Sequence, residues 1–403
     1  MRRWIFFALI AASCTKMPLF PGTPRYKTEV NGWGRPQKEN DSSGDMPDGK
    51  HLYATAVCFA KDYDWQIDTV PATEAALILL KDGAEILRIP AGGCASPQRH
   101  RARDGHLWTD RSEGGRTVIG RDGMDYISWA GEECLKGFIV RDGNVFTLGQ
   151  RTGGKGVCLR CNGGILFEDS SGTVLGDIDE AGWDGGALAF DGDELCFCYA
   201  VSVHIGSVLL QEYRFVKWRT VVQTIPSGAT QVLYDWRSID GVLYRSETRS
   251  GGGFCIVIGD DYYSINIKRT PHLCKLQPWR GSVMVTFCLE NPYSFRGESI
   301  AGSILLPSER FRVGEMYSDG NHLAYTETDV NGRVQRVSAP CYPDMSRFSE
   351  GDYHLMTPSC GSFKGGCLAL ALTNLSGDKH LLCVDDTVAE LHFNGYLSSV
   401  IIE

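Results

Sequence analysis

The stretch LILLKDGAEILRIP, residues 77–90, places two apolar runs on either side of a two-residue turn, Asp82-Gly83. Asp-Gly between apolar runs predicts a tight β-hairpin, because both turn residues need a positive φ. The same arrangement returns in TVIGRDGMDYISWAG, with Asp122-Gly123, and in VCLRCNGGILFED, with Asn162-Gly163. The hairpin is therefore a repeated unit of the chain.

Weaker copies of the hairpin continue to the end of the sequence. Their turns fall at Lys217-Trp218-Arg219, Gly259-Asp260-Asp261, Pro307-Ser308-Glu309 and Asp385-Asp386, with a less regular one at Asn331-Gly332. One or two further short strands precede each hairpin, so that each unit has about four antiparallel strands in roughly 40 to 50 residues.

Four strands at this period are typical of a β-propeller blade. One small sheet cannot bury both of its faces, whereas blades stacked in a closed ring bury them all. The sequence predicts an all-β fold, a single β-propeller of about seven four-stranded blades. The irregular unit near Asn331 leaves eight blades as the alternative, and a pair of β-sandwiches is the competing fold.

The composition fits a large folded body rich in turns. The chain has 403 residues, of which 43% are hydrophobic and 47 are glycine. The net charge is -9. This acidic balance argues against a nucleic-acid partner, because a protein that binds the phosphate backbone needs a cationic face.

The N-terminal segment MRRWIFFALIAASC predicts a signal peptide. It has two arginines, a short apolar run and small residues before Cys14, and it is too short to span a bilayer. We predict a signal peptide over residues 1–13, a flexible tether rich in Pro, Gly and charge over 14–50, and the propeller over 51–403.

The ending Ala-Ala-Ser-Cys resembles the lipobox of bacterial lipoproteins. The resemblance implies cleavage before Cys14 and lipidation of its thiol, which would anchor the protein in the cell envelope, at the outer membrane. The lipid would be its only contact with the membrane. In its succession of short apolar runs and turns, the remaining chain resembles uncharacterised propeller lipoproteins of glycan-foraging bacteria.

The connection AGGCASPQRHRARDGHLW is the most unusual segment of the repeat region. It concentrates five potential cations in an acidic protein: Arg99, His100, Arg101, Arg103 and His106. Because arginine matches carboxylate and sulfate groups in a bidentate manner, the segment indicates a site for an anionic ligand such as a uronic acid or a sulfated sugar. A solvated loop that balances nearby acids is the alternative interpretation.

The stretch KDYDWQID, residues 61–68, places Asp64 beside Trp65. Aromatic rings stack on sugars, and carboxylates accept hydrogen bonds from sugar hydroxyls or act as acid and base. Asp64 and His100 would then form a proton-transfer pair in an enzyme. The alternative is that the aromatic side chains pack between blades and the acids cap turns.

RSEGGRTV, residues 111–118, loosely resembles the Asp-box of sialidase-type propellers, matching it at Gly115 and Thr117. In that family the box is a structural turn, so the resemblance supports the fold rather than an activity. No metal or cofactor site is predicted: the Cys158 to Cys161 CxxC is single, and most cysteines lie in apolar runs as small buried side chains.

Three functions are compatible with these features. The first is a binding propeller that holds a glycan or an envelope protein. The second is a carbohydrate-active enzyme, a glycoside hydrolase or polysaccharide lyase acting on acidic sugars. The third is a structural or assembly lipoprotein. The fold does not decide among them, and whether the protein is an enzyme stays open.

Overall fold

The computed structural model describes the following residues: 49–60, 72–95, 99–151, 153, 156–175, 187–205, 208–226, 232–249, 253–259, 261–265, 267, 272–279, 282–289, 294–299, 302–305, 312–318, 320, 322–329, 333–338, 352–356, 360–385 and 387–403. Strand pairing divides them into eight antiparallel sheets, numbered here as blades in chain order. Two short 3-10 helices, Ala72–Glu74 and Gly92–Cys94, lie in blade 1 and after it.

Blade 1 is built from both ends of the described chain. Its strands, from the outside inwards, are β3 (Ala84–Pro90), β2 (Ala75–Lys81), β1 (Leu52–Phe59) and β33 (Gly395–Ile402). The last strand of the protein thus supplies the innermost strand of the first blade. This pairing closes the ring.

The next three blades run from the innermost strand outwards. Blade 2 has β4 (His100–Arg103), β5 (His106–Glu113), β6 (Arg116–Arg121) and β7 (Met124–Ala130). Blade 3 has β8 (Glu133–Arg141), β9 (Asn144–Arg151), β10 (Val157–Cys161) and β11 (Gly164–Asp169). Blade 4 has β12 (Gly172–Val174) and β13 (Leu188–Asp191), both paired with β14 (Glu194–Ile205), then β15 (Val208–Lys217) and β16 (Thr220–Pro226).

The remaining blades follow the same order. Blade 5 has β17 (Val232–Ile239), β18 (Val242–Thr248), β19 (Phe254–Ile258) and β20 (Asp261–Ile265). Blade 6 has β21 (His272–Trp279), β22 (Ser282–Leu289), β23 (Ser294–Ser299) and β24 (Gly302–Leu305). Blade 7 has β25 (Arg312–Ser318), β26 (Leu323–Thr328) and β27 (Val334–Ser338). Blade 8 has β28 (Tyr353–His354) and β29 (Gly361–Lys364), both paired with β30 (Cys367–Asn374), then β31 (Lys379–Val384) and β32 (Thr387–His392).

The predicted propeller is confirmed. Seven of the eight sheets have at least four strands, which agrees with the predicted seven blades. The remaining sheet, blade 7, has three strands in the described part of the chain, and it contains the irregular unit around Asn331. The three-stranded sheet is an additional, smaller sheet beside the seven predicted blades in the described part of the chain.

Neighbouring inner strands hold the ring together. Strand β33 contacts both β4 and β29, so blade 1 joins blade 2 on one side and blade 8 on the other. The same relation connects β13 with β8 and β17, and β21 with β17 and β25. Apolar residues from these strands form the core, which lies between blades rather than in one central cluster.

The opening hairpin is the outer hairpin of blade 1, as its sequence predicts. Its turn residues Asp82 and Gly83 have φ values of 49° and 79°. Strand β2 is buried on both faces, whereas β3 is largely exposed at the outer edge. The predicted turns at Asp122, Asn162, Trp218, Gly259 and Asp385 occupy the same place in their blades. Those at residues 307–309 and 331–332 lie outside the described residues.

These turns share one end of the ring, which we name the turn rim. It carries the tight turns between the third and fourth strands and, in blades 2, 3 and 5, also those between the first and second strands. In blade 2 the Asp122 carboxylate accepts hydrogen bonds from the Leu107 backbone N–H and from the His106 ring at 2.6 Å. Asp82, Asn162 and Asp385 cap the second strands of their own blades in the same way.

Candidate functional site

The opposite end, which we name the loop rim, is irregular where blade 1 meets blade 2. It carries the β1–β2 connection and the connections between blades. The connection from β3 to β4 includes the 3-10 helix Gly92–Cys94, which packs against β5 and the first 3-10 helix. The Tyr396 hydroxyl, on the innermost strand of blade 1, donates to the Ala95 carbonyl at 2.6 Å. This places the cation-rich connection beside the ring closure.

Asp110 organises the charges at this place. Its side chain is almost fully buried on β5, and each carboxylate oxygen accepts from a different arginine. Arg99 Nη1 lies 2.8 Å from Oδ2, and Arg101 Nη2 lies 2.5 Å from Oδ1. Two guanidinium groups share one carboxylate, so the trio keeps one net positive charge.

The two arginines have different surroundings. The Arg101 side chain is 9% exposed, and its guanidinium lies 4.7 Å from the centre of the Phe138 ring of blade 3. The Arg99 side chain is 34% exposed. Partial burial acts to lower the pKa of Arg99, but the Asp110 carboxylate outweighs it and raises that pKa above its usual value. Arg101 therefore joins two blades, whereas Arg99 reaches the surface with its charge fixed.

His100 has a structural set of partners. Its ring is 1% exposed, and Nδ1 donates to the Cys94 carbonyl at 2.8 Å. Nε2 lies 2.7 Å from the Ser398 hydroxyl of β33. Both ring nitrogens are thus engaged in the joint between blades 1 and 2.

The remaining cations of the segment point elsewhere. The β4–β5 turn reverses the chain, and His106 lies at the turn rim, where its ring contacts Asp122. Arg103 donates to the Ala102 carbonyl at 2.8 Å. Of the five cations in the sequence cluster, the structure brings Arg99, His100 and Arg101 together at the loop rim and separates His106 from them.

Asp64 and Trp65 lie outside the described residues. The chain on both sides of them is described, and the Ala60 N–H donates to the Glu74 carbonyl at 2.8 Å. Ala60 and Glu74, which are described, therefore lie at the loop rim of blade 1. The first 3-10 helix, Ala72–Glu74, contacts the second one, which precedes Arg99.

Sequence reasoning also missed the buried ion pair of Glu133 and Arg160. Glu133, on the inner strand of blade 3, accepts from Arg160 Nη2 at 2.7 Å, and both side chains are less than a tenth exposed. The carboxylate passes over Gly149, where an added Cβ would lie 2.5 Å from Glu133 Oε2. Arg160 also stacks on Trp129 of blade 2 at 4.9 Å. Charged residues inside otherwise apolar strands were the available signal for this pair and for Asp110.

The Asp-box-like segment is a turn, as its resemblance implies. Gly114 and Gly115 connect β5 to β6 with φ values of 58° and 76°. The buried Thr117 hydroxyl donates to the Gly131 carbonyl and accepts from the Glu133 N–H, which joins blade 2 to blade 3. These residues support the ring.

The described cysteines are free thiols, and ten of these twelve are buried. Burial raises the pKa of Cys158 and Cys196 to about 11, which keeps both protonated. Cys134, on the inner strand of blade 3, is the one that is exposed in the described part of the chain. It interacts electrostatically with Arg99 and therefore lies near the loop-rim cluster.

The described residues lack two other kinds of feature. Among these residues, no group of three or more His, Cys, Asp or Glu side chains is placed to hold a metal ion. Within the same residues, no helix has the length and apolar character that a membrane span requires.

Comparison with known proteins gives no family. No family model matches the chain, and no curated protein matches its sequence. Solved structures that resemble it include dihydro-heme d1 dehydrogenase NirN, at 13% identity and a TM-score of 0.46 over 99% of this chain and 86% of that one. Others are BamB from Moraxella catarrhalis, at 10% identity and 0.34 over 73% and 94%, and a quinoprotein alcohol dehydrogenase-like protein from Bacteroides thetaiotaomicron, at 10% and 0.36 over 87% and 90%. Such low TM-scores carry no argument about function.

Proposed function

We propose that this protein is a ligand-binding propeller of the bacterial cell envelope, whose binding surface is the loop rim of blades 1 and 2. The ligand is a glycan or an envelope protein. One observation carries the proposal: the repeat is interrupted there, and the interruption presents Arg99 at the surface on a buried carboxylate. Loops held by a rigid scaffold are where binding residues concentrate.

The arrangement favours binding over the enzymatic alternative. A proton-transfer role for His100 would need a ring nitrogen that faces a substrate, and both nitrogens contact groups of the protein. Arg99 needs no change of protonation to act, because a guanidinium stays charged at all physiological pH values. A fixed cation at a surface is suited to hold an anionic group.

The test is a glycan-array screen of the full-length chain in detergent, run beside a turnover screen with the same glycans. Binding without cleavage supports the proposal. Cleavage of any glycan would contradict the proposal and support the alternative of a carbohydrate-active enzyme. Absence of both binding and cleavage would leave an assembly role.

Membrane anchoring is a separate part of the proposal and has its own test. It rests on the lipobox-like sequence before Cys14. Cells fed a radiolabelled fatty acid should label the parent chain, whereas Cys14→Ser should remain unlabelled and leave the membrane fraction. An unlabelled parent chain would contradict the anchor.

A further inference from the structure

Arg99 combines a partly exposed side chain with a guanidinium that a buried carboxylate holds in place. Its Nη1 donates to Asp110, and its other N–H groups have no protein acceptor among the described residues. A guanidinium has five N–H donors in a planar fork that matches the oxygens of carboxylates and sulfates. One edge of the fork is thus fixed by Asp110, and another edge remains for a ligand.

The Asp110 carboxylate orients the Arg99 guanidinium before a ligand binds, so that Arg99 is preorganised for binding. Asp110 is 2% exposed and is held from its other side by the buried Arg101. An arginine fixed in this way loses less side-chain entropy when it binds. Since one carboxylate serves two guanidinium groups, the cluster also retains a positive charge.

Arg111 shows the opposite arrangement one residue beyond Asp110. Its Nε donates to Glu113 at 3.1 Å, and its Nη2 donates to Asp125 at 2.6 Å. Two carboxylates therefore compensate one guanidinium. Arg111 is therefore compensated by its neighbours, whereas the trio around Asp110 keeps an excess positive charge where Arg99 precedes the innermost strand.

We infer that the loop rim binds a sugar that carries a carboxylate or a sulfate group, and that the exposed edge of the Arg99 guanidinium holds this group. The inference rests on the proposed binding function and assigns the chemical class of its ligand. Arg99 acts as a binding residue through hydrogen bonds and charge, and no covalent step is involved.

The experiment compares three probes on the full-length chain by calorimetry: an oligogalacturonate, a sulfated galactose oligosaccharide and a neutral galactose oligosaccharide. We expect the charged probes to bind at least about tenfold more tightly than the neutral one, because a charged hydrogen bond contributes more than a neutral one. Comparison of the affinities for the two charged probes shows whether the site prefers a carboxylate or a sulfate group.

Arg99→Gln should remove most of this preference, with a loss of at least about tenfold for the charged probes and little change for the neutral one. Arg141→Gln is the matched control, because Arg141 has a similar exposure of 36% but lies at the turn rim, paired with Asp193. It should bind every probe as the parent chain does.

The Cys134 thiol gives a second readout at the site. A saturating charged probe should slow alkylation of Cys134 by iodoacetamide several-fold, followed by mass spectrometry of the peptide that contains it. This protection should disappear in Arg99→Gln.

Equal affinity for charged and neutral probes, or unchanged affinity in Arg99→Gln, would overturn the inference while leaving the binding function in place. Failure of both charged probes to bind would overturn it as well. If only neutral sugars bind on the glycan array, the proposed binding function is supported and the proposed recognition of a charged sugar is contradicted.

Discussion

The turn rim and the loop rim of this propeller use charged side chains in different ways. On the turn rim an Asp or Asn of the outer turn caps the second strand in blades 1, 2, 3 and 8, and each interaction stays within one blade. On the loop rim, Asp110 gathers two arginines beside the ring closure. In blade 5 the buried Glu247 likewise lies between the buried Arg245 and the exposed Arg249. The turn-rim side chains thus satisfy the backbone of their own blade, whereas these buried carboxylates hold a guanidinium at the surface.

The largest expected effect is a loss of stability when Asp110, the centre of the loop-rim cluster, is substituted. Asp110→Asn removes the carboxylate whose Oδ1 lies 2.5 Å from Nη2 of the buried Arg101. We expect a loss of about 3 to 5 kcal/mol in the free energy of unfolding. Urea denaturation followed by circular dichroism measures it.

Asp125→Asn is the control, because Asp125 pairs with Arg111 at the surface with 65% of its side chain exposed. It should cost at most about 1 kcal/mol. Similar losses in the two variants would show that Asp110 is no more important to the fold than a surface acid.

The second effect is a pH dependence at the loop-rim end of the ring closure. His380 is fully buried, its ring stacks on Phe393 at 3.8 Å, and Nε2 lies 3.0 Å from the Phe393 carbonyl. Burial lowers the pKa of His380 from 6.5 to about 4. The unfolded chain therefore takes up a proton below about pH 6.5, whereas the native protein does so only near pH 4.

The contribution of His380 to stability is complete above pH 6.5 and is lost as the pH falls to about 4. The loss is roughly 3 kcal/mol for a shift of this size. Unfolding by urea at several pH values should show it, and the slope should be reduced in His380→Gln. An equal slope in His380→Gln would exclude this origin.

A smaller effect is expected on the turn rim, at Asp122. Asp122→Ala removes the acceptor for the Leu107 N–H and places alanine at a φ of 52°. We expect a loss of about 1 to 2 kcal/mol in the free energy of unfolding. Asp122→Asn should lose less, because asparagine tolerates a positive φ and keeps one acceptor. Any loss of ligand binding in Asp122→Ala would contradict the separation of the two rims.

The sequence predicted the turn rim well because its chemistry is local. Asp82 and Gly83 need only their own φ values and the strands beside them to form the turn. Trp218 shows the limit of this rule, since it takes the same place with a φ of 54° although it is bulky. Its indole lies about 6 Å from the rings of Phe146 and Phe190, a tertiary contact that no turn rule contains.

The loop rim was predicted less completely because its contacts join residues from different strands and blades. The sequence located Arg99 and Arg101 but not their common partner Asp110, which lies on the next strand. It also grouped His106 with them, because the eight positions from Arg99 to His106 look continuous in the sequence. Strand β4 crosses the blade between the two rims, and this crossing separates His106 from the others.

The smallest expected effect on stability is that of substituting Arg99. Its size tests whether Arg99 has a structural role or is available to bind a ligand. In Arg99→Gln the Asp110 carboxylate keeps Arg101 as its partner, and the lost side chain is one-third exposed. We therefore expect a change within about 1 kcal/mol in the free energy of unfolding, as for other partly exposed ion pairs. Denaturation beside Asp110→Asn measures it. A loss as large as that of Asp110→Asn would make Arg99 a structural member of the trio, and its exposed edge would no longer indicate a ligand.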